Sequence, residues 1–191
     1  MPVDVREEVI DQLEWHWSHQ LRPRLDGLTD DECWWEPVEG CWSVRPRSEA
    51  RGAQAAGAGS LVIDWDYPVP APPPVTSIAW RLGHLAVGAF GMRASAHFGD
   101  GSLNYATVEW PSTAREMLAL LDEHHEAWTR GLRSFGAEDL ARPVGPAEGP
   151  FADRTYAALA LHLNREAIHH GAEVALLRDL YRAGLGDATR R

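Results

Sequence analysis

Leu161-His162-Leu163-Asn164-Arg165-Glu166-Ala167-Ile168-His169-His170-Gly171-Ala172-Glu173 lies inside an apolar run, Tyr156 to Leu180, that otherwise reads as a buried helix. Residues four apart on a helix share a face, so His162 stands beside Glu166, Glu166 beside His170, and Arg165 beside His169. Side chains of this kind are costly to bury unless they are paired or bind a metal. A divalent cation is one way to satisfy them.

Two registers of this helix compete for the core. One face carries Leu159, Leu163, Glu166, His170, Val174 and Leu177; the other carries Leu161, His162, Arg165, His169, Ala172 and Leu176. The first is richer in large apolar residues and is the better core face. It offers a carboxylate and an imidazole one turn apart. A second imidazole, His84 in Trp80-Arg81-Leu82-Gly83-His84-Leu85, sits midway along another apolar helix. Two imidazoles and one carboxylate form a reasonable three-ligand set for zinc or another first-row divalent ion, nickel included, with positions left open for water or substrate. His169 is the alternative ligand if the second face turns inward. Glu166 and Arg165 could instead form ion pairs with charges elsewhere, Glu166 for example with Arg81 or Arg93. For Glu173 and Arg178, a solvated face or an interhelix pair is the simpler reading.

Working outward, three more long helices can be placed. Asp4 caps a first helix from about Val5 to Leu21, with the stripe Val5, Val9, Leu13, Trp17, Leu21 and a stop or kink at Pro23. Thr29-Asp30-Asp31-Glu32 opens a brief helix that ends near Trp35. Thr76 or Ser77 caps a second long helix over about 78–98, in which Gly83, Gly88 and Gly91 lower the intrinsic propensity but let a neighbour approach closely. Thr113 opens a third, with Met117, Leu120, Leu121, His124, Trp128 and Leu132 inward and His124 and His125 at its edge. The last helix runs from about Arg154 to Arg182 and stops at Gly184. Between the first two long helices lies a long irregular connection. It contains a flexible-looking loop, Ala53 to Ser60, and a small hairpin between Trp42 and Leu61–Trp65. The expected fold is a single all-α domain over residues 1–191, a four-helix bundle whose metal sites form between facing helices.

Composition narrows the function. The formal charge is −10, which argues against general nucleic-acid or anionic-membrane binding. No apolar run reaches the roughly 18 residues of a membrane span, and no signal-like start is present, so a cytoplasmic protein is expected. Cys33 and Cys41 are eight apart, the wrong spacing for a CxxC motif, and reduced thiols are the default. All 18 basic residues are arginines, a sign of coding bias rather than function. Nucleophile elbows, GxGxxG, P-loop and HExxH motifs are absent, which disfavours nucleotide-dependent chemistry and protease activity. His16 flanks the apolar stripe of the first helix and could orient a ligand or act as a base; an interfacial histidine is the plainer alternative. His97, at a helix end, is assigned no function.

Two stretches, Thr76-Ser77-Ile78-Ala79-Trp80-Arg81-Leu82-Gly83-His84-Leu85 and Asn164 to Glu173, together with the helix order, resemble the DinB-like superfamily, which includes mycothiol-dependent maleylpyruvate isomerases. The resemblance spans most of the chain and implies a four-helix bundle of DinB type with a divalent metal site. One ligand matches His84. On the last helix, aligning Gly171 with the family's glycine puts His169 and Arg165 on the ligand pair; sliding by one residue puts Glu166 and His170 there, as in the isomerase branch. An arginine at a ligand position would weaken or abolish the site, since guanidinium donates no lone pair. The resemblance further implies a metal-assisted transfer or isomerisation of a small molecule that uses a low-molecular-weight thiol, with Arg81, Arg165 or His16 toward the substrate. The competing expectations are a non-catalytic small-ligand-binding or stress-associated bundle whose polar cluster is an ion-pair network, and a helix-mediated homodimer.

Overall fold

In the computed structural model, which describes residues 3–136 and 138–186, local capping chemistry starts every long helix. Asp4 accepts from the backbone N–H groups of Arg6 and Glu7 to open α1 (Val5–His16). Pro23 does not stop that helix at once. A wider π turn (Trp17–Leu21) carries the chain into one more helical turn (Arg22–Arg24), and the bond from Arg22 N–H back to Trp17 C=O belongs to the π pattern. Thr29 and Glu32 form a reciprocal capping box around α2 (Asp30–Cys33): Glu32 N–H donates to Thr29 Oγ1 at 3.2 Å and Thr29 N–H to Glu32 Oε2 at 3.0 Å.

The connection that follows holds the expected hairpin, displaced by two residues. β1 (Val44–Pro46) pairs antiparallel with β2 (Leu61–Ile63), Val44 opposite Ile63, while Trp42 bridges to Thr76 instead. The Ala53–Ser60 stretch, read from sequence as flexible, is tied down at β2, at Arg47 just past β1 and beyond. Ala56 and Ile63 exchange backbone hydrogen bonds, and Ala58 N–H donates to Val108 C=O at 2.7 Å. Asp64, fully buried, anchors the whole connection by accepting from Ser43 N–H, Arg45 Nε and Arg51 N–H at 2.7–2.9 Å. A buried carboxylate with this many donors has its charge met on the spot.

Ser77 caps α3, which runs from Ile78–Gly83 through a π stretch (His84–Gly91) into Met92–Phe98. Thr113 caps α4 (Ala114–Arg133) and Thr155 caps α5 (Tyr156–Leu180), which ends in a turn where Gly184 takes φ 95°, a value suited to glycine. α1 and α3 each pack against both α4 and α5, which closes the all-α bundle. The small residues of α3 do let a neighbour close in: a Cβ at Gly91 would stand 1.8 Å from His124 Nδ1 of α4.

The inner face of α4 differs from expectation by one position. His125, not His124, is buried, stacked on Trp17 at 3.7 Å between ring centroids and 3° between planes. An apolar stripe fixes a helix face only to within about one residue's rotation, and the flat Trp17 ring selects the neighbour it can cover. Cys33 and Cys41 are both free and buried, and burial raises both thiols, Cys41 to about 12. Among the described residues, no helix is long and apolar enough to cross a membrane.

Candidate metal centre

His84 begins the π stretch of α3, a helix irregularity often found at functional positions. Its ring is fixed on two sides. Trp80, one turn earlier, stacks on it at 5.3 Å and 13°, and Trp80 is itself held by its Nε1–H donating to Asp64 C=O at 2.8 Å. Tyr105, from the loop between α3 and α4, places its hydroxyl 3.0 Å from His84 Nδ1. Burial raises the Tyr105 hydroxyl's pKa, so it is a neutral O–H at ordinary pH. Gly88 makes room for this contact, since a Cβ there would lie 2.0 Å from the Tyr105 oxygen and 3.0 Å from His84 Nδ1.

With Nδ1 engaged, His84 Nε2 faces Glu166 Oε2 of α5 at 3.6 Å. His170 Nε2 approaches the same oxygen at 3.1 Å, and the two imidazoles meet edge to face at 4.9 Å between centroids. One donor atom from each of His84, Glu166 and His170 lies within 4.8 Å of the other two. Donors about 2.1 Å from a tetrahedral zinc stand about 3.4 Å apart. The measured 3.1 and 3.6 Å from the Glu166 oxygen to the two nitrogens fall on either side of that figure, so the donor set suits such an ion in chemistry and in these two separations.

The electrostatics point the same way. The facing His84 imidazole, then the nearby His162 and His170, hold the Glu166 carboxyl down to about 2 against the cost of burial, so it is an anion at neutral pH. Burial lowers the pKa of His170, which favours the neutral ring that can offer a lone pair. His170 Nδ1 is held at 2.7 Å by Glu173 Oε2, and Arg81 Nε pairs with the same oxygen at 3.0 Å. A carboxylate on the far nitrogen of a ligand imidazole is the usual way such rings are oriented. His84 and Glu166 keep 23% and 21% of their side-chain surface accessible, so the cluster can be reached from outside.

Other sequence candidates fall elsewhere. His169 is exposed and turns its Nε2 to Glu173 Oε1 at 3.6 Å; it groups with His170 and Glu173, not with His84. Arg165 is exposed and its Nη2 lies 2.7 Å from His162 Nδ1, so the register that would put a guanidinium among the ligands does not occur. The face with Leu163 and Val174 is the buried one. His16 is buried against Gln20, with Nδ1 2.9 Å from its Oε1, and next to Gly171 rather than in the cluster. Arg81 does reach the cluster, with Nη1 3.4 Å from His170 Nδ1 and Nε on Glu173; it is not paired with Glu166, and Arg93 pairs with Glu148. Tyr105 went unseen in the sequence because it sits in a loop without periodicity. Glu173, read as a solvated face or an interhelix pair, forms an interhelix pair with Arg81 and also holds His170. Its i, i+3 spacing from His170 was the available signal.

A family model described as the DinB superfamily matches residues 12–174. No curated protein and no solved structure matches the chain. The match takes in the end of α1, all of α3 and α4, most of α5 and every residue of the cluster, and on it the chain belongs to the DinB superfamily.

Proposed function

We propose that His84, Glu166 and His170 hold a divalent cation, zinc or nickel, and that the protein is a metal-dependent enzyme acting on a small molecule by thiol-dependent transfer or isomerisation. The observation that carries this reading is the convergence of two imidazole nitrogens and one ionised carboxylate within 4.8 Å on an accessible part of the bundle. Membership of a metal-associated superfamily supports it. When bound, the cation supplies a Lewis acid that lowers the pKa of a coordinated thiol. The chain's own residues prepare that position. Tyr105 and Glu173 fix the two rings with Nε2 inward. Trp80 covers one face of His84 against water, and Glu166 contributes negative charge. Three protein ligands leave room for a substrate atom.

One observation favours a second reading, a small-ligand-binding bundle without catalysis. Glu166 is already met by His84 and His170 on one oxygen and by His162 at 3.5 Å on the other, so the cluster can stand as an internal network.

Metal analysis and thermal unfolding separate the two. Under the enzyme reading, the purified chain holds one equivalent of cation. Zinc at about 100 times its Kd then stabilises the fold by about 2.7 kcal/mol, and His84→Ala abolishes both effects. A melting temperature indifferent to zinc, or the same metal content in His84→Ala, leaves only the network.

A further inference from the structure

Beside the cluster, on the outer side of α5, is a cavity of about 370 Å³, at the small end of the range that holds small ligands. Its lining is unlike the rest of this acidic chain: Arg93, Arg154 and Arg165 stand against one carboxylate, Glu148. Glu148 is already spoken for. His97 Nε2 lies 3.0 Å and Arg93 Nε 3.4 Å from its Oε1, and these two partners hold its carboxyl below the ordinary range. Arg93 is thereby neutralised and also donates to Gly88 C=O. Two positive charges remain. Among the described residues Arg165 touches only His162, which carries no negative charge to offset it. Among the described residues the Arg154 guanidinium makes no hydrogen bond or ion pair.

The other wall is apolar. Val144 and Leu159 present hydrocarbon, and Phe151, 63% exposed, stands at the rim. His162 also lines the cavity, and its Nδ1 is 3.5 Å from Glu166 Oε1. Cavity and donor cluster therefore share a wall.

We infer that this cavity binds a small organic anion, an acidic head on an apolar body, with Arg154 and Arg165 on the head, Val144, Leu159 and Phe151 on the body, and the ligand lying beside Glu166. Guanidinium recognises planar acidic groups through paired N–H donors, and the local excess of positive charge concentrates anions that the acidic surface elsewhere repels. As a statement about substrate class, the inference rests on the metal-dependent reading above. As a statement about binding, it does not.

Benzoate is a suitable probe, titrated calorimetrically into the full chain, as purified and after chelation, with benzyl alcohol and inorganic phosphate as comparisons. Saturable benzoate binding in the millimolar range or tighter is expected. It should weaken about tenfold or more in the doubly substituted Arg154→Gln, Arg165→Gln variant, as loss of charge-assisted hydrogen bonds requires. Both residues are exposed, so that variant keeps its fold. Benzyl alcohol and phosphate should each bind at least tenfold more weakly, the first lacking the charge and the second the body. Benzoate that does not bind, binds the variant equally well, or is matched by either comparison overturns the inference. Benzoate binding retained in His84→Ala and after chelation supports the cavity even if zinc proves to have no effect. Benzoate binding lost on either treatment would place the anion on the cation and sink the cavity. A failure with benzoate leaves the zinc result untouched.

Discussion

Helix α5 carries two carboxylate-centred clusters a few turns apart, and they are built from opposite chemistry. Near its C-terminal end, Glu32 of α2 meets Arg178 and Arg182. Arg178, 2% exposed, stands 3.3 Å from Glu32 Oε2 and also donates to the carbonyls of Arg24 and Asp26, while Arg182 Nε reaches Glu32 Oε1 at 2.6 Å. In mid-helix, Glu166 meets His84 and His170. Guanidinium has donors and no lone pair, so the first cluster can only close on itself, tying α5 to the end of α1 and to α2. Imidazole exchanges a proton for a lone pair, so the second can open to a cation. Two carboxylates that meet the same helix, Glu32 buried on α2 and Glu166 half-buried on α5, thus differ in role because of their partners.

The largest effect that could break this contrast is on stability. Glu32→Ala leaves Arg178 buried without its carboxylate and should cost about 3–5 kcal/mol in urea unfolding; a cost near zero would remove Glu32 from its structural role. The same residue gives a pH signature. Burial works against its charged form, but Thr29 N–H, Arg182 and Arg178 together hold its carboxyl below the ordinary 4.5. With the folded pKa lowered, its contribution is complete above pH 4.5 and disappears as pH falls through the folded value. Glu32→Gln should therefore flatten the acid limb of the stability curve, and an acid limb identical to the parent's would refute this account.

A smaller effect sharpens the mid-helix side. Glu173→Gln and Tyr105→Phe each remove a support from a ligand ring without touching a donor atom, and each should weaken zinc binding roughly 10–100-fold. The effect on the metal-free fold should be slight. Equal zinc affinity in both variants would mean that ring orientation is set by packing alone, through Trp80. Smallest is Arg165→Gln. Exposed and off the donor face, it should change stability by less than about 0.5 kcal/mol and leave zinc affinity unchanged. A large loss of zinc would revive the rejected register of α5.

Much of this was legible in the chain itself. Asp4, Thr29 and Thr113 start their helices as read, and Ser77 is the one of the two candidates, Thr76 and Ser77, that caps its helix, because capping is a contact between neighbours in sequence. The buried face of α5 could be chosen by comparing Leu163 and Val174 with Leu161 and Ala172, because burial favours the larger apolar set. The choice between His124 and His125 failed, since both border the same stripe and only the Trp17 ring decides between them.

What the sequence determined, then, is the set of long helices, the caps that start them and the side of α5 that turns inward, all of which follow from residues within a few turns of one another. Tertiary structure alone decided which distant groups complete the site. Tyr105 reaches His84 from an aperiodic loop, Arg81 meets both His170 and Glu173 from another helix, and Glu148 joins His97 and Arg93 across 51 and 55 residues to leave Arg154 and Arg165 facing a cavity. The physical reason is range: periodicity and capping act along the chain, whereas these contacts exist only once packing has brought separate segments together.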